Sequence, residues 1–142
     1  MSVGRIYDAD NGESFETVVV DEAERTASYQ IVTLDVFADK TAIAYGNRRL
    51  TYSEFGAAAT RLANALRASG IEHGDRVAYL CPNIPEMLVA NFGVPLAGAV
   101  MVPINTRLSA EEVRYICDHS GAKLLVADTE YLPALAPVLG SL

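Results

Sequence analysis

The chain has 142 residues, of which 51% are hydrophobic and 20% charged, and this composition excludes disordered and fibrous proteins and suits one globular domain. Eighteen acidic and eleven basic residues give a net charge of −7, which argues against binding to nucleic acid or to an anionic membrane, because both require a basic surface. Cys81 and Cys117 are predicted to be buried and reduced in a cytoplasmic protein, and no signal peptide or uninterrupted membrane-spanning stretch is apparent.

Residues 1–27 are predicted to be an irregular N-terminal segment, in which 18–20 are the one candidate strand. Apolar residues at helical spacing then predict a short helix over 28–38. The next two runs, 41–45 and 48–51, have strand character and are joined by Gly46-Asn47. A two-residue connection that begins with glycine favours a β-hairpin with a type II′ turn.

Helices and strands alternate from residue 52 onward. A helix is predicted over 52–69, because Thr51 and Glu54 have the spacing of a capping box and Gly70 is suited to end the helix. Three short apolar runs bounded by breakers follow, as in fully buried parallel strands. The segments between them are long enough to be crossover helices. We therefore predict an α/β fold with a parallel βαβαβ core, preceded by a hairpin and a helix; its strands are 76–81, 100–104 and 123–127.

The helices of this core are predicted from their ends. Asn83 and Ser109 each precede a glutamate by three residues, the spacing of a capping box. Pro95 is expected to kink or end the first of these helices, and Gly93 fits close packing of that helix on the sheet. A last apolar helix is expected from about residue 132 to the C-terminus.

The common nucleotide-binding motifs are absent. The turn after the first core strand reads Cys-Pro-Asn-Ile-Pro over 81–85 and lacks the glycines that let a phosphate approach the next helix. Gly93 and Gly98 have the spacing of a P-loop, but Ala99-Val100 stands where lysine and serine or threonine are needed. Neither a nucleophile–base pair nor a zinc ligand set is visible.

The topology nevertheless predicts one edge where a ligand would bind. In open parallel sheets, ligands bind beyond the carboxyl ends of the strands. Four polar residues follow the predicted strands at this edge, and they are the candidate ligand-binding residues: Asn83, Thr106, Arg107 and Asp128. The competing interpretation is that these residues cap helices and pack loops. The residues themselves thus indicate an α/β domain with a candidate ligand edge.

Five stretches, in this order and spacing, resemble the opening of an AMP-forming acyl-CoA synthetase, a member of the adenylate-forming enzyme family. The resemblance covers about residues 36 to 130. The variant Phe-Gly-Val-Pro-Leu-Ala-Gly-Ala-Val over 92–100 is most similar to family members that activate fatty or related carboxylic acids. The stretches are Arg-Leu-Thr-Tyr-Ser-Glu-Phe over 49–55, Leu-x-x-x-Gly-Ile-x-x-Gly-Asp-Arg-Val over 66–77, Asn-x-x-Glu over 83–86, Gly-Ala-Val and Val-Pro-Ile-Asn-Thr-Arg-Leu within 98–108, and Ser-Gly-Ala-Lys over 120–123.

The resemblance implies that residues 28–142 form an incomplete subdomain of the large N-terminal domain of these enzymes. It also implies a two-step reaction, in which a carboxylate attacks the α-phosphate of Mg-ATP and coenzyme A then takes the acyl group as a thioester. The family's phosphate loop, adenine-binding motif, hinge residue and catalytic lysine have no counterpart here. No catalytic or metal-binding residue is therefore assigned, and ATP, Mg and CoA are expected to bind the full-length enzyme rather than this chain.

The leading hypothesis is an N-terminal fragment of an acyl-CoA ligase that is inactive alone. Its expected partner is the remainder of the synthetase polypeptide, or a second copy bound through exposed apolar surface. The alternative is a stand-alone binding or interaction module without catalysis. A third reading is an unrelated flavodoxin-like binding domain.

Overall fold

The computed structural model describes the backbone of Ser2–Tyr7 and Ser14–Val19, and residues 36–138 together with Gly140. The chain forms two compact units, residues 1–56 and residues 57–142. The predicted domain boundary at residue 27 and most of the predicted helix 28–38 lie outside the described residues.

Two strands lie in the segment that was expected to be irregular. β1 (Ser2–Tyr7) and β2 (Ser14–Val19) pair in antiparallel orientation. The backbone register places Val3 opposite Val18 and Ile6 opposite Phe15. The described part of residues 1–27 is therefore regular rather than irregular.

The predicted hairpin is present: β3 (Thr41–Tyr45) pairs antiparallel with β4 (Arg48–Thr51). Gly46 has φ 54°, and no described residue other than glycine has a positive φ. Only the first turn position is therefore left-handed, as a type II′ turn requires. The Arg49 guanidinium donates a hydrogen bond to the carbonyl oxygen of Gly46, which adds a side-chain contact across the turn.

Helix α1 (Tyr52–Ala68) follows the hairpin directly. The Thr51 backbone N–H donates to Glu54 Oε2 at 2.8 Å, and Thr51 Oγ1 accepts from the Glu54 N–H at 3.2 Å. These reciprocal bonds are the predicted capping box. Gly70, with φ 84°, takes the left-handed conformation after the helix end that was also predicted.

The unit of residues 57–142 is built on a three-stranded parallel sheet in the order β6–β5–β7. Its strands are β5 (Arg76–Leu80), β6 (Val100–Pro103) and β7 (Ala122–Ala127). β5 lies in the centre and pairs in parallel with both neighbours. The predicted βαβαβ core is thereby confirmed.

The two crossover helices lie on opposite faces of this sheet. α2 (Pro85–Leu96) joins β5 to β6, and α3 (Ala110–Ser120) joins β6 to β7. Because successive side chains of β5 alternate between the faces, each face has its own core. Val77 packs with residues of α1 and α2, and Leu80 packs with residues of α3 and of the short helix α4 (Leu132–Leu135).

The start of α2 differs from the prediction. Its N-cap is Ile84, with φ −115° and ψ 167°, and no side chain caps the helix. The predicted capping box from Asn83 to Glu86 was wrong, because Pro85 forces the preceding residue into an extended conformation. Pro85 lacks an N–H and therefore takes the first helical position.

Gly93 packs against α1 rather than on the sheet, which corrects the prediction. A Cβ built on Gly93 would lie 2.8 Å from Leu62 Cδ2 and 3.0 Å from the carbonyl oxygen of Ala59. The absence of a side chain therefore permits the close approach of the two helices. α2 then ends at Leu96, one residue after Pro95, as the predicted early end requires.

The capping box of α3 is confirmed, whereas the last helix is shorter than predicted. The Ser109 N–H donates to Glu112 Oε2 at 2.8 Å, and the Glu112 N–H donates back to Ser109 Oγ at 3.4 Å. α4 contains only four residues. Pro137 has no N–H to donate to the carbonyl four residues earlier, so the helix does not extend as expected.

Candidate functional site at the carboxyl edge of the sheet

The three loops that carry the candidate residues leave the same edge of the sheet, because the strands are parallel. The Ile104 N–H donates to the Tyr79 carbonyl at 2.8 Å, and the Asp128 N–H donates to the Leu80 carbonyl at 2.9 Å. From β5 the chain crosses to β6, on one side of β5, and it later enters β7, on the other side of β5. The point between the loops after β5 and β7 is a topological switch point, where open α/β sheets bind ligands.

Two of the four candidate residues present exposed side chains at this edge. Asn83 is exposed and does not cap α2, and its amide makes no hydrogen bond with the described residues. Arg107 is also exposed, and its backbone N–H donates to Asn105 Oδ1 at 3.0 Å, which fixes the turn that carries it. The Asn83 amide and the Arg107 guanidinium are therefore donors that a ligand can reach.

The other two candidates are used by the loops themselves. The Thr106 side chain lies close to the Tyr131 hydroxyl and has a lowering effect on its pKa, so the loop after β6 and the turn after β7 meet at this edge. Asp128 Oδ1 accepts a hydrogen bond from the Glu130 N–H at 3.1 Å and so caps the 3₁₀ turn Thr129–Tyr131. For these two residues the geometry favours capping and packing.

Burial and three acidic residues act on the thiol of Cys81, which directly follows β5. Burial raises the pKa of Cys81, and the nearby charges of Asp128, Glu86 and Glu130 raise it further. The pKa of Tyr131 is also raised, chiefly by its hydrogen bond to Glu130. The Cys81 thiol is therefore held protonated and is a poor nucleophile at neutral pH.

The start of α2 lacks a feature of helix N-termini that bind phosphate. A helix N-terminus binds phosphate through free N–H groups, but α2 begins with Pro85, which has none, and carries Glu86 in its first turn. Within residues 36–138, no three His, Cys, Asp or Glu side chains are grouped so as to hold a metal ion. We therefore assign no step of nucleotide chemistry to these residues.

Sequence reasoning missed Tyr131, whose pKa is affected by the nearby side chains of Glu130 and Thr106 at this edge. The one available signal is its place in the turn that follows a buried strand. Asp75 and Lys123, which lie at the opposite, amino edge of the sheet, were also missed. The buried Asp75 carboxylate accepts from the Glu72 N–H at 2.8 Å and pairs with Lys123 Nζ at 2.9 Å.

Arg76 completes the cluster at the amino edge. Its Nε donates to the Ser120 carbonyl and its Nη2 to the Gly121 carbonyl, both at 2.8 Å. These are carbonyls at the C-terminal end of α3, which have no partner within a helix. The Gly-Asp-Arg-Val stretch over 74–77 therefore has a structural role: it ties the start of β5 to the end of α3.

The fold and the sequence together identify the protein family of this chain. The sequence profile of the family described as AMP-binding enzyme matches residues 32–142, and the chain belongs to this family. Within the described residues, no helix is long and apolar enough to cross a membrane.

The relatives are CoA ligases. The chain is 45% identical over 102 residues to 4-hydroxybutyrate–CoA ligase 2 of Metallosphaera sedula, a match of 72% of this chain and 19% of the relative. It is 45% identical over 96 residues to a feruloyl-CoA synthase of Amycolatopsis sp, covering 68% and 20%. The solved N-terminal domain of FACL13 from Mycobacterium tuberculosis superposes with a TM-score of 0.75 at 34% identity, covering 84% of this chain and 30% of that one. The chain thus spans about a fifth of the length of the curated relatives that it matches.

Proposed function

We propose that this chain is the N-terminal portion of an ATP-dependent, AMP-forming acyl-CoA ligase of the cytoplasm, and that it is inactive alone. The observation that carries the proposal is the family match over residues 32–142, together with relatives named as CoA ligase and CoA synthase, in which the matched residues make up only about a fifth of the length. The intact enzyme would convert a carboxylic acid to an acyl-adenylate with ATP and Mg, and then to a thioester with CoA.

The chemistry of the described residues supports the inactivity of the chain alone. Adenylation requires cationic groups or metal ions around a pentavalent phosphate. The carboxyl edge instead gathers Glu86, Asp128 and Glu130 near the Cys81 thiol, with Arg107 as the candidate cation. Negative charge at this edge would repel a triphosphate. The phosphate chemistry therefore belongs to parts of the ligase outside this chain.

Within the assembled ligase, we assign the four edge residues to two roles. Asn83 and Arg107 keep exposed donors and would contact the acid or the CoA. Thr106 and Asp128 would hold the loops in place through Tyr131 and the Thr129–Tyr131 turn. The relatives act on acids as different as 4-hydroxybutyrate and ferulate, by their names, so the proposal extends to carboxylic acids as a class.

A chimera tests the proposal. The matching residues of M. sedula 4-hydroxybutyrate–CoA ligase 2 are replaced by this chain's sequence, and ATP–pyrophosphate exchange with 4-hydroxybutyrate is measured. We expect exchange by the chimera and none by the 142-residue chain with any acid. Exchange by the chain alone, or an inactive chimera that is folded and binds ATP, would contradict the proposal.

Two substitutions in the chimera test the role of the edge. Asn83→Ala and Arg107→Ala are expected to raise KM for the acid or for CoA about 10-fold, with a smaller change in kcat, because they remove binding contacts. Arg61→Ala, which removes an exposed arginine of α1, is the matched control and should leave KM unchanged. Equal KM values for all three variants would show that Asn83 and Arg107 contact neither the acid nor CoA.

One observation favours the alternative of a stand-alone binding module. Among the described residues β7 has no strand on its outer side, and a groove beside it is lined by Leu132 and Leu135, among others, which a module could use to bind a partner. A native polypeptide of 15.2 kDa would favour this alternative over the ligase. The family match replaces the flavodoxin-like reading.

A further inference from the structure

The loop that carries Arg107 is fixed at both of its ends. Ile104, which precedes the loop, is buried, and its N–H donates to the Tyr79 carbonyl of β5 at 2.8 Å. Ser109, which follows the loop, is the N-cap of α3 and forms its capping box. Any change in the direction of the loop is therefore confined to residues 105–108.

Two of these four residues are held against the protein. Leu108 is half-buried and packs against the apolar cluster that contains Leu80 and Leu135, and Tyr131 of the neighbouring turn packs against the same cluster. Thr106 is also half-buried, and its side chain lies close to the Tyr131 hydroxyl. The other two residues of the loop are exposed.

The turn within the loop is made by Asn105. Its backbone carbonyl accepts from the Leu108 N–H at 3.2 Å, which is the hydrogen bond of a β-turn. Its side-chain Oδ1 accepts from the Arg107 N–H at 3.0 Å, and this second bond is that of an Asx-turn. Both hydrogen bonds described within the loop therefore end on Asn105.

The Arg107 side chain is not held by a partner among the described residues. No ion pair or side-chain hydrogen bond with those residues fixes its guanidinium. Arg76 and Arg114 differ in this respect, because their guanidinium groups bind backbone carbonyls and carboxylates, respectively. The direction in which the Arg107 side chain leaves the loop is therefore set by its backbone, which Asn105 Oδ1 holds.

We propose that Asn105 is a positioning residue: by accepting the Arg107 N–H, it holds the Arg107 guanidinium in the direction in which that group binds an anionic part of a substrate. The carboxylate of the acid and the phosphates of CoA are both anions of the kind that a guanidinium binds. This inference rests on the proposed function, because Arg107 has these ligands only in the assembled ligase.

The size of the effect depends on the fraction of molecules in which the loop has its binding conformation, because the apparent affinity for a ligand falls in proportion to that fraction. One hydrogen bond between neutral groups favours the bonded form by roughly 2- to 10-fold. We therefore expect Asn105→Ala to raise KM about 5-fold in the chimera and to change kcat by less than about 2-fold. Arg107→Ala should raise the same KM, that for the acid if the anion is the carboxylate and that for CoA if it is a phosphate. Effects of the two substitutions on different substrates, or no effect of Arg107→Ala, would overturn the inference.

Three further variants of the chimera separate positioning from direct contact with a substrate. Asn105→Ser keeps a weaker acceptor at the same place, so its KM should lie between those of the unsubstituted chimera and of Asn105→Ala. Asn105→Gln keeps the amide but moves it one carbon farther from the backbone, so its KM should equal that of Asn105→Ala. A KM for Asn105→Gln equal to that of the unsubstituted chimera would show that the amide itself binds substrate, and would overturn the proposal. Added to Arg107→Ala, Asn105→Ala should raise KM no further, and a second increase of the same size would also contradict positioning.

Hydrogen exchange in the 142-residue chain tests the turn without any activity. The Arg107 amide should exchange about 5-fold faster in Asn105→Ala than in the unsubstituted chain, whereas the Ile104 amide, which is bonded to β5, should be unchanged. Equal exchange of the Arg107 amide in both proteins would overturn the inference. An active chimera whose KM values do not respond to Asn105→Ala would overturn it as well and leave the proposed function intact. A folded chimera that binds ATP but lacks exchange activity would instead contradict the proposed function, and with it the ligands assigned to Arg107.

Discussion

Replacing Arg76 is the most direct test of how the amino edge of the sheet is held together. Arg76 donates two hydrogen bonds of 2.8 Å to the carbonyls of Ser120 and Gly121. A hydrogen bond from a charged donor contributes roughly 1.5–3 kcal/mol when buried, and the second of these bonds is exposed and contributes less. A cation at a helix C-terminus adds roughly 0.3–1 kcal/mol. We therefore expect Arg76→Ala to lower the free energy of unfolding by about 2 kcal/mol.

The assay is urea unfolding of the 142-residue chain followed by circular dichroism. The midpoint should fall at an unchanged slope against urea, and the unfolding temperature should fall by about 6–8 °C for a chain of this length. Arg76→Lys keeps the charge but not the planar guanidinium group. It should therefore lower the free energy of unfolding by at least half as much as Arg76→Ala does. Arg61→Ala, at an exposed position of α1, is the control and should stay within about 0.5 kcal/mol. An Arg76→Ala midpoint equal to that of Arg61→Ala would refute the reasoning.

Three further outcomes follow from the described contacts. Gly93→Ala should destabilise the chain by about 1–2 kcal/mol in urea, because overpacking against Leu62 and Ala59 outweighs the roughly 1 kcal/mol gain in helix propensity; a stabilised variant would contradict the close helix contact. Bonds to the Glu72 and Ser109 N–H groups lower the pKa of Asp75 and Glu112 below their ordinary values of 3.8 and 4.5. Their contribution to stability is therefore present above about pH 5 and lost as the pH falls through the folded-state pKa, and Asp75→Asn should flatten this acid dependence of the urea midpoint. Burial raises the pKa of both thiols, so an alkylating reagent at pH 7.5 should label Cys81 and Cys117 slowly in the folded chain and completely in urea; rapid labelling of the folded chain would place a thiol at the surface.

The sequence predicted those elements whose signals are local. Thr51 with Glu54 and Ser109 with Glu112 form their capping boxes, because nothing nearby competes for the same positions. The three apolar runs became parallel strands for a similar reason, since each run is short, apolar and separated from the next by a helix-length segment. The one capping box that failed lies beside Pro85, where the restriction on the residue before proline outweighs a favourable spacing.

The remaining features depend on which elements meet in space. Gly93 was expected on the sheet, but its partner is Leu62 on α1, and one helix face does not identify the element against which it packs. The location of the carboxyl edge was predicted, but the proximity of Thr106 to Tyr131 was not, because these residues lie 25 positions apart and belong to different loops. The role of Arg76 has the same origin, since its partners lie 44 and 45 residues away.

The measurement that tests the ligase hypothesis most directly is the intact mass of the native polypeptide in its source cells. The hypothesis predicts a mass several times the 15.2 kDa of this chain, because the 102 residues matched in M. sedula 4-hydroxybutyrate–CoA ligase 2 are only 19% of that enzyme. A native polypeptide of 15.2 kDa would contradict it and would favour the alternative of a stand-alone binding module.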